Sequence, residues 1–223
     1  MKRRTSTLAV TAAALLVASP LLAGCSTDAH PGAAAVVGGE RITISSVQDR
    51  VETVREAQRD QPDGDQLLQA SPGLTRQTVD FLVYLEVLEA AAAEHGVEVS
   101  RAQIQESRAI AEQNVGGAEA LELSALTATS GLPLAGDEQI DQVLRSQLLF
   151  QGLAQRLNAP AGTDGQQVMR QVLAETAEEV GVEVNPRYGE WDAEQVVLAE
   201  SDTPWLRADE PADEELELPT PPA

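Results

Sequence analysis

One stretch constrains the fold more than any other. Between Thr75 and Glu94, the residues Phe81, Leu82, Val83, Tyr84, Leu85, Val87 and Leu88 spread apolar side chains around most of a helix. An α-helix turns about 100° per residue, so no single face can hold them all. Such a helix either runs through the middle of a core or lines a binding groove. The rest of the chain has to supply the elements that wrap it. Aromatic residues make up only 3% of the sequence while 43% is apolar, so alanine, leucine and valine must do the packing. That composition favours closely spaced helices. The length suits one domain of about 150 residues plus tails.

The flanking segments read as more helices and one small strand pairing. Ala35–Val37 and Ile42–Ile44 lie either side of Gly38-Gly39, which predicts a strand, a turn and a short return. Ser45 with Gln48 forms a capping box for a helix to about Asp60. Val47, Val51 and Val54 face inward on it, with Gln48, Asp49, Glu52 and Arg55 outside. Pro62 to Asp65 end it, and 66–73 reads as a loop or helical turn. The long helix follows and Gly96 closes it. Ser100 with Gln103 caps a third helix, with Ile104, Ile110 and Ala111 inward, ending before Gly116-Gly117. A fourth runs from Ala118 to about Thr129 with Leu121, Ala125 and Leu126 inside. Asp137 is the expected cap of a fifth, carrying Ile140, Val143, Leu144, Leu148, Phe150, Leu153 and Leu157. Thr163 or Asp164 caps a sixth, with Val168, Val172, Leu173 and Val180 inward. Val182-Glu183-Val184 alternates like a half-buried strand. The fold class expected is mainly α, with about six helices.

The beginning of the chain addresses location. Lys2, Arg3 and Arg4 precede an apolar run from Leu8 to Leu22, the pattern of an export signal. The following Leu22-Ala23-Gly24-Cys25 resembles a bacterial lipobox. The resemblance implies cleavage between Gly24 and Cys25 and a diacylglycerol on Cys25, two chains being enough for stable anchoring. The expected organisation is a signal peptide at 1–24, a lipidated tether at 25–34, a helical domain at 35–191 and an acidic tail at 192–223. That tail holds ten acidic residues, one arginine and five prolines, and is expected to be largely flexible. Val196, Val197, Leu198, Trp205 and Leu206 are its docking candidates.

Charge narrows the partners. Removing 1–24 takes three of the fifteen positive charges and none of the thirty-six acidic ones, leaving a formal charge of −24. A chain so acidic lacks the basic footprint that nucleic acid requires, and it is repelled by anionic lipid surfaces. Cys25 is the sole cysteine, so a lipidated chain has no disulfide and no thiol nucleophile. The only histidines are His30, in the tether, and His95, at a helix end that suits its cationic form. There is no nucleophile elbow, zinc-protease motif, P-loop or dinucleotide fingerprint. No catalytic residue, metal ligand, cofactor or small-molecule substrate is evident. The residues left to carry function are apolar: Phe81, Tyr84, Leu85 and Leu88 as groove lining, with Tyr188 and Trp191 at its edge.

The order of these elements carries a resemblance. A lipobox precedes Val-Val-Gly-Gly-Glu-Arg-Ile and a helix; a long apolar helix then ends in Ala-Glu-His-Gly-Val-Glu-Val-Ser. Further helices lead to Val182-Glu183-Val184-Asn185-Pro186-Arg187-Tyr188-Gly189-Glu190-Trp191. Over about residues 34 to 191 this resembles the N-terminal chaperone domain of the SurA and PrsA group of extracytoplasmic foldases. The closing segment is similar to that of lipoproteins from high-GC Gram-positive bacteria. The resemblance implies pairing of the strand near Val182 with the one near Ala35. It also implies a membrane-anchored, ATP-independent holdase for unfolded, exported polypeptides. The group usually inserts a parvulin domain before its closing helix, and only Asn158 to Thr163 stand there in this chain. Prolyl isomerase activity is therefore not expected. The alternative is a scaffold lipoprotein binding one folded partner; a solute-binding role lacks the two-lobed α/β pattern.

Overall fold

The computed structural model describes residues 31–127 and 131–200. The export signal, Gly24, Cys25, His30, Trp205 and Leu206 lie outside the described residues. Seven helices and five short strands follow in order: β1 (Ala33–Val37), β2 (Glu40–Thr43), α1 (Ile44–Arg59), α2 (Gly64–Ala70), α3 (Leu74–Glu94), α4 (Arg101–Val115), α5 (Ala118–Leu126), α6 (Gly136–Arg156), α7 (Thr163–Val180), β3 (Val182–Val184), β4 (Glu190–Asp192) and β5 (Val197–Ala199). The class is mainly α with small antiparallel strand pairs.

β1 and β2 join through Gly38-Gly39, both at positive φ (58° and 84°). A two-residue hairpin turn of this kind requires that conformation, and glycine adopts it without a Cβ clash. β1 also pairs antiparallel with β3, Ala35 opposite Val184 and Val37 opposite Val182. The predicted joining of the two ends of the domain is therefore present, in a three-stranded sheet of order β2-β1-β3 rather than a two-stranded one. Asn185 extends the seam, its backbone N–H donating to Ala34 O at 2.9 Å and its side-chain amide to Ala33 O at 3.2 Å.

The main core forms around α3. Val79, Val83, Val87, Leu88 and Ala91 are fully buried on it and meet Ala34 and Val37 of the sheet, Leu149 and Leu153 of α6, and Met169, Leu173 and Ala177 of α7. Burying each large aliphatic side chain contributes about 1.5–3 kcal/mol. Wrapping by α6, α7 and the sheet explains how a helix this apolar stays soluble. Two smaller clusters hold the other end: Val54, Leu74, Leu126 and Ala135 in one, Leu134, Ile140 and Leu144 in the other.

Several local expectations change. The N-cap of α1 is Thr43, whose Oγ1 accepts from Ser46 N at 3.0 Å, so Ser45 already lies inside the helix. By contrast the Ser100–Gln103 capping box of α4 is complete in both directions. Asp137 does not cap α6; Ala135 stands at that position and Asp137 sits in the first turn, bound by Arg108. Gly162, rather than Thr163 or Asp164, precedes α7. Ile110 is 53% exposed. It falls about 120° around α4 from Ile104, and α4 meets the body along only a narrow stripe. Leu149, not Leu148, is the buried leucine of its pair. A seventh helix, α2, occupies most of the segment read as a loop or turn, and β5 lies in the segment read as tail.

Candidate functional site

The exposed flank of α3 is built by helix geometry. Arg76, Asp80 and Tyr84 recur every four residues and share one ridge. At the Tyr84 end the ridge meets α6. Tyr84, Ser146, Gln147, Phe150 and Gln151 line an open cleft of about 260 Å³. Tyr84 and Phe150 are half-buried and pack their inner edges on the main core. Burial raises the Tyr84 phenol above its usual value, so it stays neutral at any ordinary pH. Ser146 spends its hydroxyl on Val143 O at 2.8 Å, which leaves the cleft wall chiefly apolar.

The other predicted groove residues are distributed differently. Leu85 and Leu88 are 3% and 0% exposed and belong inside the protein, Leu88 within the main core. Phe81 is half-buried on α3 and does not line the cleft. Tyr188, just before β4, and Trp191, within it, pack partly buried against the main core, and neither lines the cleft; Arg187 lies over the Tyr188 ring at 5.3 Å. The helical spacing predicts Phe150 inside; its neighbour Leu149 takes the core position and Phe150 is half-buried.

At the Arg76 end of the ridge, β5 lies against α3. Asp80 Oδ1 accepts the Leu198 N–H at 2.6 Å, Arg76 Nη2 donates to Leu198 O at 2.6 Å, and Arg76 Nη1 pairs with Glu200 at 3.4 Å. The Leu198 side chain is 3% exposed and joins the main core. Periodicity could not reveal these contacts, since the partners stand more than a hundred residues apart.

A second groove, of about 550 Å³, separates α4 from α6 and is lined by Ile104, Gln105, Asp141, Gln142 and Arg145 among others. Beside it, Arg108 closes the two helices together: Nε donates to Asp141 at 2.6 Å and Nη1 to Asp137 at 2.9 Å. Burial alone would lower the Arg108 pKa, but the hydrogen bonds and charges of Asp141 and Asp137 carry it upward. This ion cluster fixes the α4–α5 hairpin to the body. Among the described residues no group of three His, Cys, Asp or Glu side chains is placed to hold a metal ion. No described helix is long and apolar enough to cross a membrane.

Two carboxyls set a pH dependence. Burial raises Asp80, against the opposing pull of the Leu198 N–H and Arg76; burial, then the charges of Glu89 and Glu40, raise Glu86. A carboxyl whose pKa rises on folding binds more protons folded than unfolded. Its ionised form therefore costs stability at neutral pH, and that cost is relieved as pH falls through the raised value toward the ordinary carboxylate range. The melting temperature should rise as the pH is lowered from about 7.5 toward the ordinary carboxylate range, in the direction that the overall negative charge also favours. Glu86→Gln should flatten part of the rise; a melting temperature that falls over this interval would contradict the assignment.

The comparisons with known proteins agree with this architecture. No curated protein and no solved structure gives a match. A family model described as the SurA-like N-terminal domain matches residues 1–114, which include β1, β2, α1 to α3 and all but the last residue of α4. The match spans just over half of the 223 residues, and the chain belongs to the SurA-like N-terminal domain family.

Proposed function

We propose that this chain is a lipid-anchored extracytoplasmic holdase that binds exported polypeptides before they fold, without ATP and without prolyl isomerase activity. Domains of its family are extracytoplasmic, chaperone-type and non-catalytic, and in general bind unfolded polypeptides. The observation that carries the reading is the Tyr84–Phe150 cleft, an apolar recess opening directly off the helix around which the core is built. Reversible burial of a client's apolar side chains needs no cofactor, only a surface rigid enough to remain open. The short link at 157–162 between α6 and α7 supports a holdase without an inserted isomerase domain. Cys25, with cleavage after Gly24, would hold the folded unit at the membrane, and that unit extends to about Glu200 rather than ending at Trp191.

The test is suppression of aggregation by residues 26–223, which retain every described residue. Light scattering from an unfolding client should fall at near-stoichiometric amounts, beyond an equally acidic inert protein. Tyr84→Ser combined with Phe150→Ser should remove at least about half of that suppression, since each ring contributes on the order of 1–2 kcal/mol of contact. No suppression with several unrelated clients would replace this reading by that of a scaffold with one folded partner. The anchor is tested separately: Cys25→Ala in the full chain should release it from the membrane fraction.

A further inference from the structure

β5 is held on α3 in an unusual way. Arg76 and Asp80, one turn apart, grip the backbone of a single residue, one taking its N–H and the other its C=O. Neither contact depends on the identity of residue 198; only the buried pocket beneath it selects an aliphatic side chain. On its other edge β5 pairs with β4, Trp191 opposite Leu198. These are the elements by which one extended segment of any sequence could be read: backbone capture on one side, strand pairing on the other and a pocket for one side chain.

The segment seated there is poorly adapted to its place. It is entered through Val196 at φ 56°, a left-handed conformation that a β-branched residue adopts only at a cost of order 1–3 kcal/mol. The indole Nε1 of Trp191, across from Leu198, is buried without an acceptor among the described residues. The ion pair with Glu200 is weak, because that carboxylate is 91% exposed.

We infer that the Arg76–Asp80 clamp with its leucine pocket is a binding site for an extended aliphatic segment of a polypeptide client, and that β5 occupies it in the absence of one. The inference rests on the holdase reading and names the backbone-reading part of its site. Tyr84 continues the same ridge about 6 Å beyond Asp80, so a client strand in the clamp reaches the apolar cleft within about two further residues. Backbone capture would supply affinity without sequence preference, and the cleft would add preference for a bulky apolar side chain.

The test uses the full chain in lipid nanodiscs and a fluorescent synthetic peptide with the sequence of residues 194–200, followed by anisotropy. Self-occupancy divides the dissociation constant by the fraction of time that the clamp is free, and so weakens apparent binding. Leu198→Gly, which loosens β5, should therefore bind the peptide about tenfold more tightly than the unaltered chain. Adding Arg76→Leu and Asp80→Leu to that variant should reduce binding to the level of a scrambled peptide. Val196→Asn keeps the clamp and the pocket intact while relieving the strained turn, and should lower peptide binding below that of the unaltered chain. The inference is overturned if the peptide binds no variant, if loosening β5 leaves affinity unchanged, if binding survives loss of both clamp residues, or if Val196→Asn does not weaken it. Aggregation suppression that persists undiminished with Arg76→Leu and Asp80→Leu would remove the clamp and leave the holdase standing. Peptide binding without any suppression would do the reverse.

Discussion

Arg55→Leu is expected to destabilise the fold by about 3 kcal/mol, a fall in melting temperature of roughly 6–12 °C. Heptad reasoning puts Arg55 on the solvent side of α1, yet its guanidinium turns inward. Nη1 donates to Leu68 O at 3.1 Å, to Ser71 Oγ at 3.0 Å and to Gln58 Oε1 at 3.2 Å, while Nη2 donates to Ser71 O at 2.5 Å. Gln58 and Ser71 are 1% and 7% exposed. Removing the arginine strands two carbonyl oxygens that water reaches poorly, each costing about 1–3 kcal/mol. It also releases the turn that delivers the chain into α3. Urea unfolding should show a lower midpoint with an unchanged slope. The matched control is Arg59→Leu. Arg59 pairs with Glu52 at 3.0 Å, but both side chains are about half exposed (49% and 57%), so its loss should cost less than about 0.5 kcal/mol. Equal effects of the two substitutions would refute the role given to Arg55.

The same residue shows where sequence reading runs out. The position of α3 was legible because its apolar residues exceed what one face can hold. The Ser100–Gln103 cap and the Gly38-Gly39 hairpin were legible because they are local, each fixed by neighbours within three residues. The β1–β3 pairing followed from the family resemblance rather than from periodicity. By contrast α2, only seven residues between two proline-containing turns, is too short to display a helical period. It is held by Arg55, which bonds Leu68 O thirteen residues away in sequence. β5 was hidden by the acidity and proline content around it, and docks through side chains 118 and 122 residues earlier. Non-local backbone capture of this kind leaves no mark in composition or spacing. The predicted groove divided for a related reason. Periodicity cannot tell which sides of an all-round apolar helix its neighbours cover, and here Leu85 and Leu88 are buried while the Tyr84 edge stays open.

Gly165→Ala should also be strongly destabilising, reversing the usual sign. In a helix interior alanine is normally favoured over glycine by about 0.5–1 kcal/mol. Gly165 lies in the first turn of α7 and is buried. A β-carbon there would run into the carbonyl oxygen of Pro160 and lie 2.9 Å from its carbonyl carbon. These are backbone atoms with little freedom to yield. Pro160 has a fixed φ, and the short link from α6 already bends through Asn158 at φ 53° and Gly162 at φ 87°. To admit the methyl group, α7 must move off the link, and α7 carries Met169, Leu173 and Ala177 of the main core before feeding β3. The clash therefore spreads into the helix packing and the sheet seam, at a cost of about 3 kcal/mol or more. Gly73→Ser provides the contrast. Gly73 is the N-cap of α3 at φ −87°, and nothing lies within 4 Å of an added β-carbon. Any residue adopts this φ, so replacing the glycine by serine should gain about 0.5 kcal/mol by restricting the unfolded chain. Thermal melts of the two variants should move in opposite directions. Should Gly165→Ala melt at or above the unaltered chain, the close approach of α7 to Pro160 would not exist in solution. The taut connection between α6 and α7, which supports the reading of a domain closed without an insertion, would then lose its physical basis.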